Sequence, residues 1–173
     1  MRREIYNWLM LGWEWCFFRG TPERLPQSGW ALGGVVVLYA LASFAGEFLL
    51  HPLALSTLAL AALVDTVFTL GYLGLFVGVR QRTRLVPSLF AILSISVVVN
   101  VPALALSMVP SVSPEWDALN QLLMIGLLVY SVLALARVLI LSARFPRVFA
   151  VLVVVTYILA DQMLVDRWLG TGP

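Results

Sequence analysis

Lysine is absent from this chain of 173 residues, and cysteine and histidine occur once each. A single cysteine excludes an internal disulfide and any metal cluster built on cysteine. The only histidine, His51, has Glu47 four residues before it but no further nitrogen or sulfur ligand, so we predict no metal site. Charged residues make up 12% of the chain, against 61% hydrophobic residues. A soluble domain is about a quarter charged, so the composition excludes one.

Catalytic and nucleotide-binding motifs are also missing. The sequence has no Walker A segment, no dinucleotide glycine fingerprint and no GxSxG nucleophile context. A formal net charge of +2, concentrated in short segments, does not indicate binding of nucleic acid. We therefore expect a protein that is not an enzyme and that carries no cofactor.

Five long apolar runs dominate what the chain does have. Each is close to, or longer than, the roughly 20 residues that cross the hydrocarbon core of a bilayer. The predicted fold is an all-α integral membrane protein, with a bundle of five transmembrane helices in residues 29–168. The crossings are predicted at about residues 30–50, 53–79, 87–109, 119–141 and 148–165.

The placement of the eleven arginines predicts an orientation. Arginines precede the first run and occupy the connectors between the second and third runs and between the fourth and fifth, whereas the other two connectors have none. By the positive-inside rule, the N-terminus is predicted in the cytoplasm and the C-terminus in the periplasm of a bacterial inner membrane. The arginines predicted to contact anionic lipid headgroups are Arg80, Arg82, Arg84, Arg144 and Arg147.

Residues 1–28 combine several tryptophans with polar residues and two prolines. Tryptophan rings settle at the headgroup boundary of a membrane, so we predict a cytoplasmic amphipathic interfacial helix over residues 3–18, followed by a proline-containing linker. The helix either lies on the membrane surface or packs across the crossings as a lid, and the sequence leaves both open. Ser28 is the expected cap of the first crossing. Residues 169–173 are predicted to form a short outer tail.

Glycines at a spacing of four residues indicate where two crossings approach each other. Gly29 and Gly33 lie at the cytoplasmic end of the first crossing, and Gly74 and Gly78 lie at the cytoplasmic end of the second, with Gly71 one turn further in. Small residues let helix backbones come close in a membrane. We therefore predict that the first two crossings pack through these glycines.

Asp65 is the most informative polar residue, because it lies near the middle of the second crossing. A charged side chain at that depth costs about 2.5–3.5 kcal/mol on insertion scales, so it is expected to face the bundle. It is predicted either to bind a proton or cation or to pair helices by hydrogen bonding, with Asn100 beside Pro102 as its candidate partner. Arg137 is expected to reach the cytoplasmic boundary, and pairing with Asp65 is the alternative.

Other acidic residues lie near the predicted outer ends of the crossings, among them Glu47 and Asp161. We attribute them to the orientation and hydration of that face rather than to a path for cations. On this interpretation Asp65 has no buried acidic partner.

One further pattern joins the linker FRGTPERLP at residues 18–26, five compact crossings and the glycine–tyrosine pair Gly71-Tyr72. In these features the chain resembles the bacterial members of the Yip1-domain family, small membrane proteins with five crossings. The DLYGP-type segment of the eukaryotic members is absent. The resemblance implies an architecture and no role for individual residues.

Two functions from different classes follow from these observations. The leading hypothesis is a non-enzymatic scaffold or accessory subunit of a membrane complex, which binds other membrane proteins or a second copy of itself within the lipid bilayer. The rival is a small transporter or channel subunit that uses Asp65, with Asn100, as a proton or cation site. A third possibility is a lipid-handling protein whose cytoplasmic arginines hold headgroups.

Overall fold

The computed structural model describes residue 14 and residues 27–50, 53–110 and 113–169. Five long helices account for nearly all of these residues. Apart from residue 14, the predicted interfacial helix lies outside the described residues. So do most of its linker, His51 and the last four residues. The helices are α1 (Gly29–Leu50), α2 (Leu55–Arg80), α3 (Leu85–Ser107), α4 (Pro114–Ala143) and α5 (Arg147–Leu169), with a 3₁₀ turn at Arg82–Arg84.

Each of the five helices is long enough and apolar enough to span a membrane. Large apolar side chains cover their outer faces: Leu63, Leu75, Leu122 and Leu152, for example, are all more than half exposed. Soluble proteins seldom expose continuous apolar surface of this extent. The fold is therefore all-α, with five candidate membrane spans.

The helix ends agree with the local chemistry of the sequence. The backbone N–H of Ala31 donates to Oγ of Ser28 at 3.3 Å, which confirms the predicted cap. Helix α4 begins at Pro114, earlier than the predicted crossing, because Ser113 caps it by accepting from the N–H of Trp116 at 3.3 Å. Pro114 then takes a position where its missing N–H has no cost.

The helices pack as a ring. Around it the order is α1, α2, α5, α4 and α3, and α3 closes the circle by packing on α1. Each connector is at most six residues long, so successive helices run in opposite directions. One end of the bundle, here called the arginine end, therefore carries both arginine-containing connectors, residues 80–84 and 144–147. The opposite end carries the α1–α2 and α3–α4 connectors.

The half of the bundle next to the arginine end is densely packed. Seven consecutive residues of α3, 87–93, are buried, which means that these two turns are enclosed on every side. Phe90 and Leu93 are 1% and 0% exposed, and they pack in one core with Leu139 of α4 and Val154 of α5. The ring is thus filled at this end by the first half of α3.

Candidate functional site

A cavity of about 480 Å³ occupies the other half of the bundle, and all five helices line it. It reaches Ser107, the last residue of α3, and Glu47, one turn from the end of α1, so it extends toward the opposite end. Three carboxyl groups line it, those of Glu47, Asp65 and Asp161, whereas the lining includes no arginine. The cavity is therefore acidic and lies inside an apolar bundle.

Asp65 is held at the inner end of this cavity by three hydroxyl groups. The side chain is only 7% exposed. Its Oδ1 accepts a hydrogen bond from Tyr39 Oη at 2.7 Å and a longer one from Thr69 Oγ1 at 3.3 Å, and its Oδ2 accepts from Ser43 Oγ at 2.6 Å. These donors satisfy a buried carboxylate without a cationic partner among them. Buried polar groups are costly unless they are bonded in this way.

The hydroxyl network continues from Thr69 to α5. Thr69 Oγ1 lies 3.2 Å from Tyr39 Oη and 2.7 Å from Tyr157 Oη. The ring of Tyr157 stacks on Phe68, with 5.9 Å between the ring centroids, and this contact fixes where its hydroxyl points. The network therefore joins α1, α2 and α5 around Asp65.

Counting hydrogens assigns a direction to the network. Each hydroxyl has one hydrogen to donate, and Tyr39 gives its hydrogen to Asp65. Thr69 must then supply the hydrogen in its contact with Tyr39, sharing it with Asp65. Tyr157 must accordingly donate to Thr69. With these assignments the donated hydrogens lead from Tyr157 to Thr69, and from Thr69 and Tyr39 to Asp65.

Asp161 is the residue that the sequence interpretation missed. Its side chain comes within hydrogen-bonding contact of the Asp65 side chain, and Glu47 lies close enough to act on it electrostatically. Oδ1 of Asp161 is enclosed by protein and has no hydrogen-bond donor among the described residues. The expectation that Asp65 lacks a buried acidic partner is therefore corrected.

Helix length explains that correction. The predicted fifth crossing ends at residue 165, which would put Asp161 about one turn from the surface. Helix α5 instead continues to Leu169, so Asp161 lies eight residues, about 12 Å, from its end. Asp65 lies ten residues, about 15 Å, from the start of α2 at the same end of the bundle. The two carboxyl groups therefore meet at nearly the same depth.

Asn100, the predicted partner of Asp65, also lines the cavity. The hydroxyl bonds to Asp65 come from α1 and α2, while Asn100 lies on α3, which remains helical through Pro102. Arg137 lies on α4, six residues from its end at the arginine end, and is not part of the cavity lining. The structure thus brings Asn100 into the site and leaves Arg137 outside it.

The headgroup-contact arginines gather at the arginine end, as their places in the connectors require. Arg84 Nη1 donates to the carbonyl oxygen of Leu141 at 3.1 Å. The guanidinium of Arg80 lies 5.1 Å from the ring centre of Phe145, within range of a cation–π interaction. These two contacts tie the connectors together. Arg82, Arg144 and Arg147 are exposed.

The glycines predicted to join α1 and α2 do not pack against each other as expected. A Cβ atom added at Gly29, Gly33 or Gly71 would meet no atom of the described residues within 4 Å, whereas one at Gly74 or Gly78 would meet side chains of α3 at 3.7–3.8 Å. The glycines of α2 therefore make room for the start of α3, and those of α1 do not form a close approach. The α3 side chains concerned are Leu85 and Leu89.

A sequence signal for the missed residues does exist. Polar residues recur four positions apart inside three apolar helices: Tyr39 and Ser43 in α1, Asp65 and Thr69 in α2, and Tyr157 and Asp161 in α5. A spacing of four places both members on one helix face. Three such pairs at matching depth predict a polar site shared by the three helices. Asp65 taken alone does not predict such a site.

The chemistry of the site is that of carboxyl and hydroxyl groups. Among the described residues, no three histidine, cysteine or carboxylate side chains converge as a metal ion would require. The fold and the site together define an all-α protein with five candidate membrane spans around an acidic cavity.

Comparison with family models, curated proteins and solved structures gives no match for this chain. The Yip1-domain resemblance stays a prediction.

Proposed function

We propose that this protein is a multi-pass protein of a bacterial inner membrane, with its arginine end in the cytoplasm. The apolar outer faces of the five helices support insertion, since lipid is their natural solvent. The gathering of arginines at one end supports the orientation through the positive-inside rule. It follows that the N-terminus is cytoplasmic, the C-terminus is periplasmic and the acidic cavity extends toward the periplasm.

Within that membrane we propose a small transporter or channel subunit that takes a proton or another cation into the cavity. The observation that carries this proposal is the contact between the carboxyl groups of Asp65 and Asp161 in a cavity without a lining arginine. Two ionised carboxyl groups in contact within an apolar bundle repel each other strongly unless a cation or proton lies between them. A cavity so lined attracts cations and excludes anions.

The packing of the two halves supports access from one side. The cavity extends toward the periplasm, while Phe90, Leu93 and their neighbours fill the ring on the cytoplasmic side. Beyond Asp65 the hydroxyl groups of Thr69 and Tyr157 continue the network, and packed apolar residues of α3 fill the ring nearer the arginine end. Passage to the cytoplasm therefore requires α3 to move relative to its neighbours.

Flux into liposomes tests this function. The purified protein is reconstituted, proton movement is followed with a trapped pH-sensitive dye, and sodium and potassium fluxes are measured in the same vesicles. Asp65→Asn keeps the size of the side chain but removes its charge, so it is expected to reduce flux to the level of protein-free liposomes. Glu115→Gln changes an exposed acid outside the cavity and is expected to leave flux unchanged.

Two results would contradict the proposal. One is wild-type flux no faster than in protein-free liposomes for all three cations. The other is wild-type flux in Asp65→Asn.

An accessory subunit remains the second candidate, favoured by a groove on the outer surface. The groove, of about 520 Å³, lies between α3 and α4 and includes Pro102, Ala105 and Gly126. A Cβ atom at Gly126 would meet no atom of the described residues within 4 Å, so a helix of another membrane protein fits there. Gly126→Leu is then expected to abolish co-purification of a stoichiometric partner. Undiminished co-purification would remove this candidate.

A further inference from the structure

Asp65 and Asp161 make a contact that depends on a hydrogen atom. Ionised carboxylates only accept hydrogen bonds, so a hydrogen bond between these two neighbouring side chains forms only when one of them carries a proton. The enclosed Oδ1 of Asp161 has no hydrogen-bond donor among the described residues. A proton on Asp161 gives this side chain a hydrogen that it can donate to Asp65.

The surrounding donors decide which carboxyl group holds the proton. Tyr39, Ser43 and Thr69 all direct hydrogens at Asp65, and donors aimed at a carboxylate favour its charged form. Asp161 has near it the carboxyl group of Glu47 and that of Asp65, both of which oppose a second negative charge. The geometry thus separates the roles of the two acids, as in other carboxyl pairs that share one proton.

We propose that Asp65 and Asp161 hold a single exchangeable proton, that Asp161 carries it, and that Tyr39 and Thr69 are positioning residues that keep Asp65 as the charged acceptor. This inference rests on the proposed function, and it identifies the cation bound in the cavity as a proton. When Asp161 gives its proton to cavity water, forming a hydronium ion, the pair is left with two adjacent negative charges. A cation must then enter the cavity, so a proton and a cation compete for one place.

The groups that face Asp161 come from three helices. They are Asp65 of α2, Glu47 and Tyr39 of α1, and Tyr157 of its own helix α5. The cavity walls from α3 and α4 contribute only hydroxyl, amide and apolar side chains. The described residues that line the cavity include no arginine and no histidine.

Infrared difference spectroscopy of the purified protein during a pH titration tests the pair. A protonated carboxyl group has its own carbonyl stretching band, which disappears when the group ionises. The wild-type protein is expected to show such a band, and Asp161→Asn is expected to lose it. A band that persists at full strength in a folded Asp161→Asn protein would overturn the inference.

Tyr39→Phe keeps the test decisive if Asp161→Asn does not fold. This variant removes one donor from Asp65 while preserving the ring, so the charged form of the pair is less favoured and the proton is held more tightly. The midpoint of the band's loss is expected to move up by about one pH unit or more. Tyr72→Phe is the matched control, because the Tyr72 hydroxyl bonds Thr156 Oγ1 at 2.8 Å, outside the network. Equal midpoints in both variants would overturn the inference.

The infrared result and the flux result are independent. If the carbonyl band depends on Asp161 and Tyr39 as expected but the protein shows no flux, the proton shared by Asp65 and Asp161 is supported and the transport function is contradicted. Flux that depends on Asp65, together with a band indifferent to Asp161 and Tyr39, would support transport and overturn the acid pair.

Discussion

The two halves of this bundle are built from the same five apolar helices, yet they are packed in opposite ways. Next to the arginine end, α3 is enclosed on all sides and the ring is full, with Leu93 fully buried. Toward the other end the same helix borders a cavity of about 480 Å³ lined by three acids. The difference teaches that hydropathy sets the length and number of the helices, whereas a few polar residues decide where the bundle stays open.

The side chains that face the centre of the ring explain this difference. In the dense half, branched and aromatic residues such as Phe90, Leu139 and Val154 are buried in one core. In the open half, hydroxyl and carboxyl groups of α1, α2 and α5 bond one another around Asp65. Polar groups in an apolar medium must find such partners, and Tyr39, Ser43, Asp65 and Tyr157 find them beside the cavity that they line.

A pair of leucines on α3 provides the largest expected contrast in stability. Leu93 lies in the dense half, and Leu104 lines the cavity. Leu93→Ala is expected to lower the free energy of unfolding by about 2–5 kcal/mol, because it leaves a void among packed side chains. Leu104→Ala borders existing space and is expected to cost roughly 1 kcal/mol or less.

Denaturant titration in detergent micelles measures both leucine variants against the wild type. Lipid and detergent tails are as apolar as leucine, so the contrast reports lost packing rather than transfer from water. Equal losses for the two variants would mean that the halves do not differ in packing.

Two threonines on α2 allow a second comparison of stability, with smaller expected differences in the free energy of unfolding. Thr69 connects Tyr39, Asp65 and Tyr157, whereas Thr66 only donates to the carbonyl oxygen of Ala62 at 2.7 Å. Thr69→Val is expected to cost about 1–3 kcal/mol, since it leaves buried polar groups without their partner. Thr66→Val, which loses only a bond within its own helix, is expected to cost less than about 1 kcal/mol. The same unfolding titration checks both, and a larger loss for Thr66→Val would contradict the network.

Much of the fold was predictable from the sequence, because each helix corresponds to an apolar run. The runs marked all five helices, and Ser28 marked the start of the first. The polar extensions of α4 and α5 were not predictable from hydropathy, since a helix continues through polar residues when caps and backbone bonds support it. Helix α4 begins at Pro114 for this reason, and α5 reaches Leu169.

The site was predictable only in part. Asp65 was identifiable because a carboxyl group in the middle of an apolar run must be explained. Its partnership with Asp161 depended on two quantities that the runs do not contain: the true end of α5 and the ring order that places α5 next to α2. The predicted glycine contact between α1 and α2 was wrong for a related reason. Glycines four residues apart place small residues on one helix face, but the spacing does not show which neighbouring helix packs there.

The reactivity of cysteines placed in the two halves tests whether one half is open and acidic and the other closed. The native Cys16 is replaced by serine, and single cysteines are introduced at Ser131 and Ser96, which line the cavity, or at Ser88 and Ser142, which are 0% and 1% exposed in the dense half. A membrane-impermeant thiol reagent, in a cationic and an anionic form, is applied from the side of the membrane opposite the arginine end.

We expect Ser131→Cys and Ser96→Cys to react with the reagent, and Ser88→Cys and Ser142→Cys to remain unreacted. At the two cavity positions the cationic reagent should react at least about tenfold faster than the anionic one, because an acidic cleft concentrates cations. Equal reactivity of all four cysteines, or faster labelling of the cavity by the anionic reagent, would contradict an acidic cavity that is open to one side of the membrane.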